Sequence, residues 1–324
     1  MTSNRFACAA LAFCALALFA GTASAQNYPA KAVRIVVPLS TGSTSDAVTR
    51  VVAQKLSETW GQQVVVENMP GANSIAGASV VARAAPDGYT LVTLATNHII
   101  NASLYSKLPF DAINDFTPIA QVGYTAFVLV VHPALPVRTV KEFISLAKAR
   151  PGQLDFGSPG SGSPAHLCME LFKTMTGTQL VHLPYKAVSQ AQSDLIAGQI
   201  PTMFMVPVVA APQARAGRLR ALAVSSLTRI PALPDVPTLD ESGIKGYEIV
   251  AWIGLFGPAR VPADIVNKIH ADVARNVQLP DVQERMKNLG FEIAVKSPAE
   301  LKDFLPKDKE RWAELVRRSG AKVD

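Results

Sequence analysis

The stretch VRIVVPLSTGSTSDAVTRVVAQKLSETWGQQVVVEN, residues 33–68, decides the fold. Val33-Arg34-Ile35-Val36-Val37 is short, β-branched and apolar, as a buried strand requires. Between Asp46 and Trp60 the period changes, and Val48, Val51, Val52 and Leu56 share one face of a helix. Gln63 to Glu67 returns to strand composition. Strand, helix and strand in that order form a parallel βαβ unit with a right-handed crossover. The first strand and the helix are joined by Ser40-Thr41-Gly42-Ser43-Thr44-Ser45. The opening amides of a helix have no carbonyl partner, so they and the positive helix end point outward. Glycine lets the backbone approach a ligand, and hydroxyls add donors without charge. Such a loop suits a carboxylate or a phosphate.

The alternation continues outward. Ser74 to Ala85 is a helix of small residues, and Tyr89 to Ala95 a third strand. The polar turn Thr96-Asn97-His98 then opens a helical run through Ile99, Ile100 and Leu104. Phe127 to Val131 is a strand, followed by the T-x-x-E capping box Thr139 to Glu142, which opens a helix to Arg150. A second Gly/Ser loop, Gly157-Ser158-Pro159-Gly160-Ser161-Gly162-Ser163, leads into a helix from Pro164 to Thr176 with proline at its first turn. Strands follow at Leu180 to Leu183 and Leu219 to Val224, with a helix from Ser189 to Ala197 between them. Tyr247 to Phe256 reads as a strand crossing between lobes. Helices then run from Pro262 to Val277 and from Pro280 to Leu289. A Ser297–Glu300 capping box opens the C-terminal helical region.

In parallel α/β sheets ligands collect at the carboxyl ends of strands. That places three loops at a candidate site: Ser40, Thr41, Gly42, Ser43, Thr44 and Ser45; Thr96 and Asn97; and Ser158, Gly160, Ser161, Gly162 and Ser163, with His166 one helical turn on. Asp46 is expected to favour the helix dipole and order the first loop, since a direct contact with a carboxylate would be repulsive. Ordinary βα turns and N-caps use the same residue types, so each loop taken alone is also consistent with capping.

Composition narrows the function classes. The chain has 324 residues, 49% hydrophobic and 17% charged, which excludes a disordered or low-complexity protein and allows two lobes. Lys plus Arg is 31 and Asp plus Glu 25, a net charge of +6, with the basic residues dispersed. No basic run with interleaved aromatics marks a nucleic-acid partner. Arg5, the apolar run Phe6 to Ala20 and Ala23-Ser24-Ala25 form a signal peptide with cleavage after Ala25, so residues 1–25 are excluded from the fold. Cys8 and Cys14 leave with it, and Cys168, in an apolar helical stretch, is expected to be buried and inert. Neither loop fits G-x-S-x-G, and no G-x-x-x-x-G-K-[ST] occurs. His166 and Glu170 stand four apart without a third metal ligand, and His182 reads as a core or rim residue. No cofactor or metal is expected.

Across nearly the whole mature chain the sequence resembles the Bug/TctC family of periplasmic receptors of tripartite tricarboxylate transporters. The resembling segments are Val36-Val37-Pro38 leading into the first loop, Val66-Glu67-Asn68 with Pro70-Gly71-Ala72, and Pro86-Asp87-Gly88-Tyr89-Thr90-Leu91. They continue with Asp115-Phe116-Thr117-Pro118-Ile119, Gly157-Ser158 through His166-Leu167, and Pro184-Tyr185-Lys186. The last are Asp194 to Gln199, Gly217 to Ala223, and Leu233-Pro234-Asp235-Val236-Pro237-Thr238. The resemblance implies a two-lobed α/β fold of the type II periplasmic-binding-protein kind, with a cleft between lobes. One lobe would be discontinuous, with 26–125 and 249–324 forming lobe 1 and 126–248 lobe 2. It further implies an exported monomer that captures a small organic acid anion and delivers it to membrane subunits. The family often carries an acid where Met205 stands, in Met203-Phe204-Met205-Val206-Pro207. Methionine cannot pair with an ammonium group, so a ligand without one is expected: a dicarboxylate, a tricarboxylate or an aromatic carboxylate such as terephthalate. Alternatively, position 205 only packs. Two other functional readings are an exported serine hydrolase, with Ser161 beside His166, and a partner that presents ligand to a sensor protein.

Overall fold

The computed structural model describes residues 28–185 and 187–321. The expected signal peptide and Lys186 lie outside the described residues. The chain opens with β1 (Val33–Val37), α1 (Thr44–Trp60), β2 (Val64–Asn68), α2 (Ile75–Ala82), β3 (Thr90–Ala95), α3 (Thr96–Leu104) and β4 (Phe116–Ala126). Next come β5 (Val128–Val131), α4 (Val140–Ala149), β6 (Asp155–Ser158), α5 (Pro164–Thr176), β7 (Val181–Pro184), α6 (Val188–Ile196), β8 (Thr202–Met205), α7 (Pro207–Arg215) and β9 (Arg220–Val224). It closes with β10 (Val250–Pro258), α8 (Ala263–Asn276), α9 (Pro280–Asn288), β11 (Glu292–Lys296) and α10 (Pro298–Ser319).

Two sheets result. The first has the order β11-β4-β10-β3-β1-β2, the second β7-β6-β8-β5-β9. In the first, β1 lies parallel to both β2 and β3, as the βαβ reading of residues 33–68 requires, while β10 runs antiparallel to β3 and β4. In the second, β6 is parallel to β7 and β8, and β5 is antiparallel to β8 and β9. The parallel strands bring loops 40–45, 69–74 and 95–97 to one end of the first sheet, and loop 159–163 leaves the corresponding end of β6.

The sequence reading places no strand at β4, although it is the longest among the described residues. Phe116–Ala126 breaks alternation with Pro118, Gln121 and Gly123, and its pairing with β10 shifts register twice. Those irregularities have packing reasons. A side chain at Gly123 would run into the carbonyl oxygen of Glu292 on β11. Gln121 donates to Ala294 O at 3.0 Å. The predicted boxes also differ. Ser297 and Glu300 form the full reciprocal capping box. At α4, Thr139 Oγ1 accepts from Glu142 N–H as expected, but the Glu142 carboxylate takes the N–H of Arg138, one residue further back, at 2.6 Å.

The chain passes between sheets at Phe127 and again at Ile249. Each lobe has its own apolar cluster: Ile35, Leu56, Leu91, Ile253 and Phe291 in the first, Val128, Leu195, Met203 and Val224 in the second. A third cluster is continuous across the junction and joins Leu94, Ile100 and Trp252 to Phe143, Phe156 and Phe204. The lobes therefore share part of their core. The helix α10, which begins beside the first sheet, packs on α5 of the second lobe. Cys168 is fully buried, and burial pushes its thiol well above the ordinary value.

Candidate functional site

The first loop is shaped by its own sequence and by one carboxylate. Gly42 takes φ +82°, a left-handed conformation that costs glycine nothing. Ser43 is the N-cap of α1, and its hydroxyl accepts the Asp46 N–H at 3.2 Å. The Asp46 carboxylate turns back into the loop and accepts from Gly42 N–H, Arg50 Nε and Asn68 Nδ2, each at 2.9 Å. Burial opposes ionisation there, but the three donors outweigh it and hold the carboxyl below its usual value. Asn68 also donates to Leu39 O at 3.1 Å, which ties the loop to the end of β2. Asp46 thus acts as the internal clamp that the sequence suggested. The N–H groups of Thr44 and Ser45 find no acceptor among the described residues. Ser40, Thr41 and Gly42 are exposed, whereas Ser45 is buried and its carbonyl accepts the Thr49 hydroxyl at 2.6 Å.

The second loop repeats this backbone shape with a different support. Gly162 takes φ +73°, and Ser163 caps α5 by accepting His166 N–H at 3.3 Å. Gly162 N–H donates to Nδ1 of the buried His166 at 3.1 Å. His166 stacks on His182 with ring centroids 3.9 Å apart, and Nε2 of His182 lies 2.6 Å from the Ser158 hydroxyl. Ser158 in turn accepts Gly160 N–H at 3.2 Å. Burial, reinforced by the neighbouring His166, pushes His182 down to about 4. Glu170 stands 3.5 Å from His166 Nε2 and is paired with Lys173 at 2.7 Å. Ser161 N–H and Ala165 N–H have no acceptor among the described residues. Nor does any hydrogen bond join Ser161 to His166, so the serine and base of the hydrolase reading are not brought together.

The third loop is used differently from its neighbours. Thr96 is buried, and its hydroxyl accepts the Trp252 N–H at 2.8 Å. Asn97 donates to the Ser74 hydroxyl at 2.6 Å. Asn101, one turn on, donates to Asn73 O at 2.7 Å and accepts from Asn73 Nδ2 at 2.5 Å. These asparagines hold a turn in which Ala72, Asn73 and Ser74 all take positive φ, at 45°, 51° and 78°. Each such residue carries strain of about 1 kcal/mol or more, which the asparagine bonds offset. Sequence reasoning missed this turn and the roles of Asn68, Asn101 and His182. Its one available signal was Asn73, since asparagine tolerates the left-handed region better than most residues. His98 faces inward: its Nε2 lies 2.8 Å from Ala112 O, and burial lowers it to about 4.

The two lobes meet at the second loop. A Cβ on Gly162 would lie 2.7 Å from Leu104 Cδ2, at the far end of the helix that Thr96 begins. Met205 ends β8 with its side chain in the second lobe's apolar cluster, 2% exposed. Among the described residues no group of three His, Cys, Asp or Glu side chains is arranged to hold a metal ion. No helix among them is long and apolar enough to cross a membrane.

Comparison with known proteins agrees with this architecture. The sequence profile of the tripartite tricarboxylate transporter family receptors matches residues 48–321. The protein BugT of Bordetella pertussis is 32% identical over 96% of both chains. An R. palustris protein solved with adipate superposes with a TM-score of 0.82 at 32% identity, covering 92% of this chain and all of that one. The MatC protein of Rhodopseudomonas palustris with bound malate gives 0.76 at 31% identity, over 89% of this chain and all of that one. On the profile, the relatives and the bilobed fold together, this chain belongs to the Bug/TctC family of periplasmic receptors of tripartite tricarboxylate transporters.

Proposed function

We propose that this protein captures a small organic carboxylate between its lobes and passes it to the membrane subunits of a tripartite tricarboxylate transporter. The observation that carries the reading is the pair of Gly/Ser loops at strand ends, whose N–H groups at Thr44, Ser45, Ser161 and Ala165 have no acceptor among the described residues. Uncharged amides at helix N-termini favour an anion without the desolvation cost of a buried guanidinium. Both loops are braced from within, so little ordering is left to oppose binding. Adipate and malate, bound by the two R. palustris relatives, supply the ligand class. Met205 packs inside the second lobe's apolar cluster, so the residue at that position does not select among these acids.

On this reading residues 26–125 and 249–324 form one lobe and 126–248 the other. Ser40 to Ser45 and Ser158 to Ser163 form facing cradles, and Thr96 and Asn97 belong to the binding site at the end of β3. The signal peptide is cleaved after Ala25, and the mature chain works as a monomer.

Calorimetry of the processed protein with adipate, malate and terephthalate tests the proposal. At least one acid gives saturable one-to-one binding. Ser43→Asp keeps a good N-cap, so the fold survives, but it sets a fixed negative charge at the cradle and weakens binding by about 1–3 kcal/mol. Undiminished affinity in that variant removes the first loop from the site, and turnover of an ester or amide favours a hydrolase instead.

A further inference from the structure

The two places where the chain passes between lobes are laced together by one residue. Ala126 pairs with Val250 in the first sheet, and Val128 pairs with Val224 in the second. Phe127 stands between these ladders on one crossing, Ile249 precedes the other, and Ser225 follows β9 beside both. Ser225 is fully buried and uses every polar group it has. Its N–H donates to Phe127 O at 2.8 Å, and its hydroxyl accepts from Phe127 N–H at 2.8 Å. The same hydroxyl donates to Ile249 O at 2.6 Å, and the Ser225 carbonyl accepts Ile249 N–H at 2.9 Å. No other residue joins the crossings in this way among the described residues.

The lacing reaches the candidate site. Three residues beyond Ile249, the Trp252 N–H donates to Thr96 Oγ1 at the start of α3. The end of α3 carries Leu104, which rests on Gly162 of the second loop. A rotation between lobes changes backbone angles at Phe127 and Ile249. Because both are bonded to the same hydroxyl, neither angle changes without the other.

We propose that Ser225 is a hinge pin: a positioning residue whose hydroxyl couples the two crossings and sets the angle at which the lobes hold an anion. The proposal rests on the receptor reading above for its functional meaning, but its structural core is independent of any ligand. Serine is the residue this role needs, since one small hydroxyl must both accept and donate. Alanine would leave a buried N–H and a buried carbonyl each short of a partner.

Spin labels on Arg83→Cys and Lys148→Cys, one exposed site on each lobe, report the distance between lobes, while the native Cys168 is fully buried and escapes labelling. Ser225→Ala, and independently Ser225→Gly, broaden the ligand-free distance distribution toward longer separations. They also raise the Kd for adipate about fivefold, as the loss of one net hydrogen bond would. Ser225→Thr, which keeps the hydroxyl, restores both. Leu195→Ala, a core truncation within the second lobe, lowers Tm but leaves the distances as in the wild type. Wild-type distances in both hydroxyl deletions overturn the hinge pin whatever happens to Tm. A wild-type protein that neither binds nor closes on adipate, malate or terephthalate instead overturns the receptor reading, and the ligand-free comparison still decides the role of Ser225.

Discussion

The two Gly/Ser loops reach the same backbone shape by different chemistry. Each places glycine at positive φ, a serine N-cap and a helix behind it. Behind Gly42 stands a carboxylate with three donors; behind Gly162 stands an imidazole stacked on a second imidazole. In both, the amide of the positive-φ glycine is spent on a side-chain acceptor of the following helix, and that bond helps fix the direction of the amides that remain free. The loop's shape therefore places no demand on the charge of its support. The supports differ in what can disturb them: a neighbouring lobe, acid, or the loss of a cap.

The neighbouring lobe gives the largest contrast. Gly42 has open space around its Cα, whereas a methyl on Gly162 meets Leu104. Both sites are strained for an L-residue, at about 1 kcal/mol or more, but Gly162→Ala adds a clash between lobes. We expect Gly162→Ala to cost roughly 3 kcal/mol in thermal or urea unfolding and to abolish measurable carboxylate binding, with Gly42→Ala costing roughly 1–2. Equal effects of the two variants would erase the contrast and place the second loop away from the junction.

Acid separates the supports next. The Asp46 carboxyl is held below its ordinary value, so its contribution is present above the usual carboxylate pKa and lost only as pH falls through the lower folded value. His182 is lowered to about 4, so the unfolded chain takes up its proton first and stability declines as pH falls from 6.5 toward 4. His98 behaves likewise in the first lobe and contributes about 3 kcal/mol to that decline. The share of the second loop is read from His182→Asn. Its unfolding free energy should decline less steeply than that of the wild type over that window, by an amount on the order of 1–2 kcal/mol. Parallel curves would mean that His182 titrates freely and supports nothing.

The caps give the smallest contrast. Ser43→Ala and Ser163→Ala each lose a helix cap, worth about 1 kcal/mol. At Ser163 the hydroxyl also donates to Gly160 O at 2.8 Å, so its loss should disturb the loop as well as the helix. Melting curves should therefore rank Ser163→Ala below Ser43→Ala, and an inverted order would make the first loop the more dependent on its cap.

The parts of this molecule legible in the sequence were those written locally. The valines of β1, the stripe Val48, Val51, Val52 and Leu56, and the Ser297–Glu300 box each lie within a few residues of the structure they specify. The first and second loops were legible for the same reason, as was the inward role of Asp46. What escaped was written across distance. Asn101 meets Asn73 28 residues away, and Ser158 meets His182 24 residues away. No spacing rule announces such pairs. The strand β4 was hidden because Pro118 and Gly123 look like breakers until β10 and β11 are beside them. Nor did the sequence show that the Thr96 hydroxyl accepts from the crossing strand, a partner 156 residues away.

The apolar cluster that runs through both lobes has a kinetic consequence. To part, the halves would have to expose side chains such as Trp252 and Phe204 to water, so the hydrophobic effect opposes wide separation. Where entry of a solute must wait for such a separation, its association rate constant falls below the collisional limit.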